Sequence, residues 1–206
     1  KMKKIIFITL IILVCSSSYG QKLKYGLKGG MNVANTKFAV IENGNSSSRE
    51  FDNRTSYYFS GFVEYSPISK SNKPISLQVE LQFSKQGHSY NRSSETGFVL
   101  QLDQINLPLI LKKPLIDNFS VIGGLYFGYV TSSNEKYQGR KFQENQYYNF
   151  DNGLLIGGEY LFDFGLFLDF RYIYGLKDIS DLKSEEYNIE HEYKNRVFQF
   201  GLGYKF

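Results

Sequence analysis

The stretch NRVFQFGLGYKF, residues 195–206, decides how the rest of the chain is read. Its even positions carry Phe198, Phe200, Leu202, Tyr204 and Phe206. Its odd positions carry Gln199, Gly201, Gly203 and Lys205. A bulky apolar residue alternates with a small or polar one, which is the period of a strand with two unlike faces. The bulky face is strongly aromatic, as a strand facing lipid requires. The expectation is a strand that closes a membrane β-barrel, its odd positions turned to the barrel interior.

Working back from it, seven more segments share the same period. They are residues 23–34, 57–65, 75–84, 99–111, 119–130, 153–161 and 166–175. The third alternates most regularly, with Ile75, Leu77, Val79, Leu81 and Phe83 against Ser76, Gln78, Glu80, Gln82 and Ser84. In the fourth the apolar parity slips between Leu102 and Ile105, which suggests a bulge. The same segment holds Pro108, which costs a ladder hydrogen bond. The connections run to about 22, 9, 14, 7, 22, 4 and 19 residues, boundaries being good to about ±2–4. Long and short alternate throughout. An even-stranded up-and-down barrel with long outer loops and short periplasmic turns requires that pattern, and a sandwich does not. The expected fold is therefore all-β, an eight-stranded antiparallel up-and-down transmembrane barrel over residues 21–206. The long polar segments read as four solvated exterior loops.

Composition fits. Of 206 residues, 17 are Tyr, 18 Phe and 19 Gly, while Pro is only 4 and Trp absent, as suits many strands with tapered interiors. Residues 1–20 read as a cleaved signal peptide. Lys1, Lys3 and Lys4 precede an apolar run from Ile5 to Cys15, and Ser18 and Gly20 suit the positions before a cut at Gln21. That run is shorter than the roughly 20 residues of a spanning helix, which counts against an N-terminal anchor. Val14 before Cys15 does not fit a lipoprotein cleavage site, and Cys15 is the only cysteine. Neither a disulfide framework nor a cysteine metal site is then expected. Without the three signal lysines, 21 basic residues face 20 acidic ones. No basic field remains to suggest nucleic acid as a partner.

If the bulky faces meet lipid, the charges of the opposite faces point inward. Lys24, Lys28, Glu64, Glu80, Glu159, Asp169, Arg171 and Lys205 make four basic and four acidic groups on six strands. Buried charges persist only when paired. The expectation is an ion-pair network inside the barrel, with partners unassigned. Its functional counterpart would be an ion path or a catalytic carboxylate pair.

Other chemistry is thinly signalled. His88 and His191 fall in segments read as outer loops, and His88-Ser89 lacks the framing of a nucleophile site. Gly26, Gly29 and Gly30 sit in a strand, where no phosphate-cradling turn forms. Asp181, Glu185 and Glu186 lack calcium-loop spacing. Asn45, Asn53 and Asn91 head glycosylation-type triplets that read as polar loop chemistry. Tyr147, Tyr148 and Phe150 suit an aromatic girdle at the outer lipid boundary. No cofactor is called for.

Several stretches resemble the PorT-like outer-membrane β-barrel proteins, relatives in shape of the OmpA and OmpX barrels. They are LKYGLKGGMNVAN (23–35), SLQVELQFSKQG (76–87), INLPLILKK (105–113), FDNGLLIGGEY (150–160), FLDFRYIYGLKD (167–178) and NRVFQFGLGYKF. The E-L-x-x-S-x-Q-G pattern falls on Glu80 to Gly87, the R-Y-x-Y-G-L pattern on Arg171 to Leu176 and the final G-Y-x-F on Gly203 to Phe206. This resemblance implies a place in the outer membrane of a Gram-negative bacterium, contacting outer-membrane lipids; the expected state is a monomer. It also implies assembly by the barrel-assembly machinery, with Tyr204 and Phe206 as the signal. The reading is a non-enzymatic anchor displaying exterior loops, which would meet an extracellular protein or glycan. A narrow pore, small-solute transport or an accessory role in protein secretion are the alternatives.

Overall fold

The computed structural model describes residues 23–42, 45–50, 52–67, 74–90, 98–137, 140–142, 150–177, 183–184 and 189–206. The expected signal peptide lies outside these residues, as do Tyr147, Tyr148, Asp181, Glu185 and Glu186. Every regular element among the described residues is a strand.

Eight strands build the barrel: β1 (Leu23–Glu42), β2 (Arg54–Tyr65), β3 (Ser76–Tyr90), β4 (Phe98–Pro114), β5 (Phe119–Tyr137), β6 (Phe150–Leu161), β7 (Leu166–Gly175) and β8 (Ile189–Lys205). Each pairs antiparallel with the next in sequence. β8 then pairs antiparallel with β1, setting Leu27 opposite Tyr204, Met31 opposite Phe200 and Val33 opposite Phe198. This last pairing closes the sheet and removes its edges. Phe206 secures the seam, its backbone N–H donating to Tyr25 O at 2.9 Å and its ring stacking on Tyr25 at 5.5 Å.

The two faces are inverted relative to a soluble protein. Leu27, Leu81, Ile156, Phe200 and Leu202 project outward and are half or more exposed, while Asn32, Gln78 and Gln199 are fully buried inside. So continuous an exposed apolar surface is stable only against another apolar phase, and here that phase is the bilayer. Outward rings also cover outward glycines. Phe119 and Phe170 stack 6.3 Å apart over Gly158, where a β-carbon would strike both.

The strands outrun the sequence reading at their long-loop ends. β1 continues from Ala34 to Glu42 and pairs with the short segment Asn45–Glu50; β5 runs on to Tyr137 and pairs with Arg140–Phe142; β8 starts at Ile189 and pairs with Lys183–Ser184. Parts of the segments read as solvated loops are therefore hairpin extensions of the barrel.

The fourth strand also differs from expectation. Its own alternation is unbroken, with Leu100, Leu102, Gln104, Asn106, Ile110 and Lys112 all buried. The bulge lies on β5: Asp103 pairs with Ser132 and Gln104 with Val130, leaving Thr131 over. The parity slip arose because Leu100 and Leu102 are apolar residues of the interior. At Pro108 the ladder towards β3 lapses between Leu109 and Asn106, while the ladder towards β5 continues through Tyr126. The missing N–H is thus confined to one side of the strand.

Candidate functional site in the barrel interior

Inward side chains form layers that change character from the short turns to the long loops. The first layer, nearest the short turns, is a square of two acids and two bases. Lys112 Nζ lies 2.9 Å from Glu64 Oε2 and 2.7 Å from Glu159 Oε2, and Lys205 Nζ lies 3.0 Å from Glu64 Oε2 and 2.6 Å from Glu159 Oε1. Each ion thus has two counter-ions drawn from opposite walls, and the square is neutral. It floors a vestibule of about 370 Å³, open at the short-turn end and lined in part by Lys24, Ser76, Asp117 and Ser120.

One step deeper is a second square. The Arg171 guanidinium grips Glu80 with two parallel hydrogen bonds, Nη1 to Oε2 at 2.9 Å and Nη2 to Oε1 at 2.7 Å. Its Nε and Nη2 donate to Asp169 Oδ2 at 3.0 and 2.8 Å. Lys28 Nζ completes the figure, 3.0 Å from Glu80 Oε1 and 3.3 Å from Asp169 Oδ1. The planar fork of arginine matches a carboxylate in this geometry, which lysine cannot do. Gln78 joins the squares by donating to Glu80 Oε1 at 2.5 Å and accepting from Lys112 at 2.7 Å. The inner square is sealed, with its side chains 0–1% exposed, whereas the outer one is 3–6% exposed to the vestibule.

Beyond the squares the layers lose charge. Gln199 donates to Asn32 Oδ1 at 3.0 Å, Asn106 donates to Gln82 Oε1 at 3.3 Å, and Asn32 donates to Ser84 Oγ at 3.0 Å. An apolar cluster of Ala34, Ile110, Ile122, Tyr126, Leu155, Ile173 and Val197 packs along part of the wall. Beside it Asp151 Oδ2 accepts from Tyr126 Oη at 2.9 Å and from Asn195 Nδ2 at 2.8 Å. Nearer the long loops, Leu100 and Leu102 are buried, and His88 Nδ1 stands 3.0 Å from Thr36 Oγ1.

A family model described as outer membrane protein beta-barrel domain matches residues 16–181 of the 206. The chain belongs to the outer membrane protein beta-barrel domain family. No curated protein matches it in sequence. Among solved structures it is similar to Ail, the attachment invasion locus protein of Yersinia pestis, in complex with the heparin analogue sucrose octasulfate. The identity is 14%, covering 90% of this chain and 100% of that one, with a TM-score of 0.46. It is similar to OprG from Pseudomonas aeruginosa at 14% identity, covering 91% and 98% with a TM-score of 0.44. It is also similar to the outer membrane protease OmpT from Escherichia coli at 12% identity, covering 91% and 98% with a TM-score of 0.43. These likenesses are of fold alone.

Within this outer-membrane barrel, seven of the eight charges read from the sequence are buried in the two squares: Lys28, Glu64, Glu80, Glu159, Asp169, Arg171 and Lys205. Lys24 is not among them. It has the inward parity, but it sits at the mouth, exposed on the vestibule wall. The eighth member is Lys112, one residue past the expected end of its strand; of the Lys112-Lys113 pair, parity alone selects the first. Asp151 was missed for the same reason, lying two residues before Gly153 on the same face. His88 is no loop residue: β3 carries it into the interior, while Ser89 Oγ donates to Asn53 O at 3.2 Å. The two side chains part company and form no catalytic dyad. His191 lies on β8, and its side chain is outside the described residues.

Besides Tyr126, three inward rings depart from the rule that bulky residues face lipid. Tyr58, Phe62 and Phe167 are buried, and Phe62 meets Phe167 edge to face at 5.6 Å. They fill the space left at the closing seam: a β-carbon on Gly201 would strike Tyr58 Oη, and one on Gly203 would strike the Phe167 ring. The odd glycines of the last strand are small because inward rings from other strands lie over them. Tyr204 and Phe206 are outward and their rings meet at 5.1 Å. Phe150 is outward too, 6.5 Å from the Phe127 ring, with Lys177 Nζ over its face at 5.0 Å.

Proposed function

We propose that this outer-membrane protein is a monomeric, non-enzymatic anchor whose filled barrel holds four long connections outside the cell. The observation that carries this is the pair of interlocked neutral squares. Eight charges from seven strands meet at 2.6–3.3 Å across the lumen, and the amide and leucine layers stand behind them. Interior charge arranged this way specifies and fills a barrel rather than catalysing a reaction. The partners are outer-membrane lipids on the outward belt and an extracellular protein or glycan at the loops. Refolded protein in a planar bilayer is expected to give no steady conductance. Steady single-channel currents would overturn the filled-barrel reading in favour of a narrow pore, the alternative for which the vestibule at the short-turn mouth speaks.

Two finer readings accompany it. The sequence stretches that resemble the PorT-like proteins leave a secretion accessory as a further role. The chain is also exported by a cleaved signal and assembled through its last strand. N-terminal sequencing of the mature protein should begin at Gln21. Deleting Phe206 should lower the amount assembled in cells while purified protein still refolds in detergent. Equal loss in both settings would make Phe206 a stability residue and remove the assembly reading.

A further inference from the structure

Among the described residues the interior charges do not balance. The two squares hold four bases and four acids. Asp151 is a ninth ionisable group, fully buried, and the groups that hydrogen-bond to it are neutral: Asn195, Tyr126, Gln104 and the backbone of Asn152. Both hydrogen bonds from Tyr126 and Asn195 fall on Oδ2. The other oxygen, Oδ1, has no hydrogen bond of ordinary geometry; the Gln104 side chain and the Asn152 backbone approach the carboxylate more loosely. An isolated carboxylate in a low-dielectric interior costs several kcal/mol unless something positive meets it.

Its neighbours are orphaned in the same way. Asn106 Oδ1 and Gln104 Oε1 are buried and without hydrogen-bond partners. The side chains of Asn106, Gln104 and Asp151 meet beside Gly128. A β-carbon on Gly128 would stand 2.7 Å from Asn106 Oδ1, 3.3 Å from Gln104 Oε1 and 3.5 Å from Asp151 Cβ. Gly128 faces Asn106 across one ladder and Asp151 across the other, so a residue with no side chain leaves room where three buried oxygen-bearing groups meet. Unsatisfied buried polar atoms are few in native proteins. Several around one carboxylate describe a site for something that is not protein.

We propose that Asp151, Gln104 and Asn106 form a binding site for a monovalent cation inside the long-loop half of the barrel. The ligand class follows from charge and donor type. All three groups offer oxygen, which suits hard cations and not zinc or copper. One carboxylate neutralises one positive charge. A divalent ion would leave a net positive charge in the interior, and the set is poor beside the six to eight oxygens that calcium takes. Sodium or potassium, its shell completed by water, fits both counts. The role is structural: the ion supplies for Asp151 what lysine and arginine supply in the two squares.

The test uses the refolded full-length barrel. The temperature at which its compact, heat-modifiable form is lost is measured in sodium, potassium, calcium and choline chloride at equal ionic strength. The expected result is a midpoint several degrees higher in sodium or potassium than in choline, the difference vanishing in Asp151→Asn. Gly128→Ala, whose methyl would intrude on the site with the charge intact, should also lose it. Equal midpoints in sodium, potassium and choline would overturn the proposal. So would protection by calcium alone, or a sodium effect undiminished in Asp151→Asn. Should both variants fail to refold, crystals of the parent protein grown in thallium(I) decide. An anomalous peak between Asp151, Gln104 and Asn106 supports the site. Water there, or Gln104 turned to donate to Oδ1 with no peak, rejects it.

Discussion

The short-turn half and the long-loop half of the same lumen are filled by different means. Towards the short turns, eight charges hold one another in two neutral squares. Towards the long loops, amides, leucines, a histidine and a lone carboxylate share the space with an apolar wall. The difference teaches how one barrel reconciles filling with specificity. Ion pairs bridge opposite walls and fix which strand faces which, at a desolvation cost that only complete pairing offsets. Apolar packing bridges the same gap without that cost but tolerates substitution more readily.

The sharpest way to break this contrast is at Arg171, which makes four hydrogen bonds to two sealed carboxylates. Arg171→Met leaves Glu80 and Asp169 with Lys28 as the one cation of their square. Removing one partner of a buried ion cluster costs about 3–5 kcal/mol. The variant is expected to lose that much in denaturant titration from detergent or bilayer. A loss below that of an interior leucine would erase the distinction between the halves.

On the long-loop side the matching cut is Leu102→Ala. Leu102 is fully buried, and such a deletion costs about 2–5 kcal/mol depending on how far the cavity collapses. A value near the lower end is expected, because polar neighbours such as Gln86, opposite it on β3, can move in. The same measurement on both variants ranks the two filling strategies directly.

A third cut separates the squares from each other. Lys112→Met removes two ion pairs, as many as Lys28 makes, yet the acids it leaves behind stay paired with Lys205 and border the vestibule. Water reaches there, so the uncompensated charge is cheaper. About 1–3 kcal/mol is expected, the usual cost of unsatisfying a buried polar group, and clearly less than for Arg171. An equal loss would mean that the vestibule does not hydrate Glu64 and Glu159.

These ranks bear on how much was legible from residues alone. Period-two alternation located all eight strands, and the rhythm of connection lengths ordered them into a closed up-and-down barrel. Parity then told inside from outside wherever one face meets lipid. What it could not tell was where a strand ends once its apolar alternation stops, and Lys112, Asp151 and His88 lie in those margins although all three are buried. It also had no account of register. Tyr58 and Phe167 are bulky yet inward because Gly201 and Gly203 lie under them, and that match of large against small exists only when β8 is set against its neighbours. Pairing among the charges was hidden for the same reason: Arg171 and Glu80 are 91 residues apart and meet only across the lumen.

The smallest effect is expected at the residue where parity alone misleads. Lys24 and Lys28 share a strand and a face, and the same argument sent both into the network. Four residues along a strand span about 13 Å, enough to separate the open mouth from the sealed inner square. Lys24 stands opposite Glu64 in the ladder, but the ion pairs of Glu64 come from Lys112 and Lys205. Lys24→Ala should therefore change stability by no more than about 0.5 kcal/mol, the range of an ordinary surface position. Lys28→Ala strips one corner of the inner square and should cost several times as much. Equal effects at the two lysines would show that the mouth is as desolvated as the centre, and the contrast between hydrated and sealed charge would fail with it.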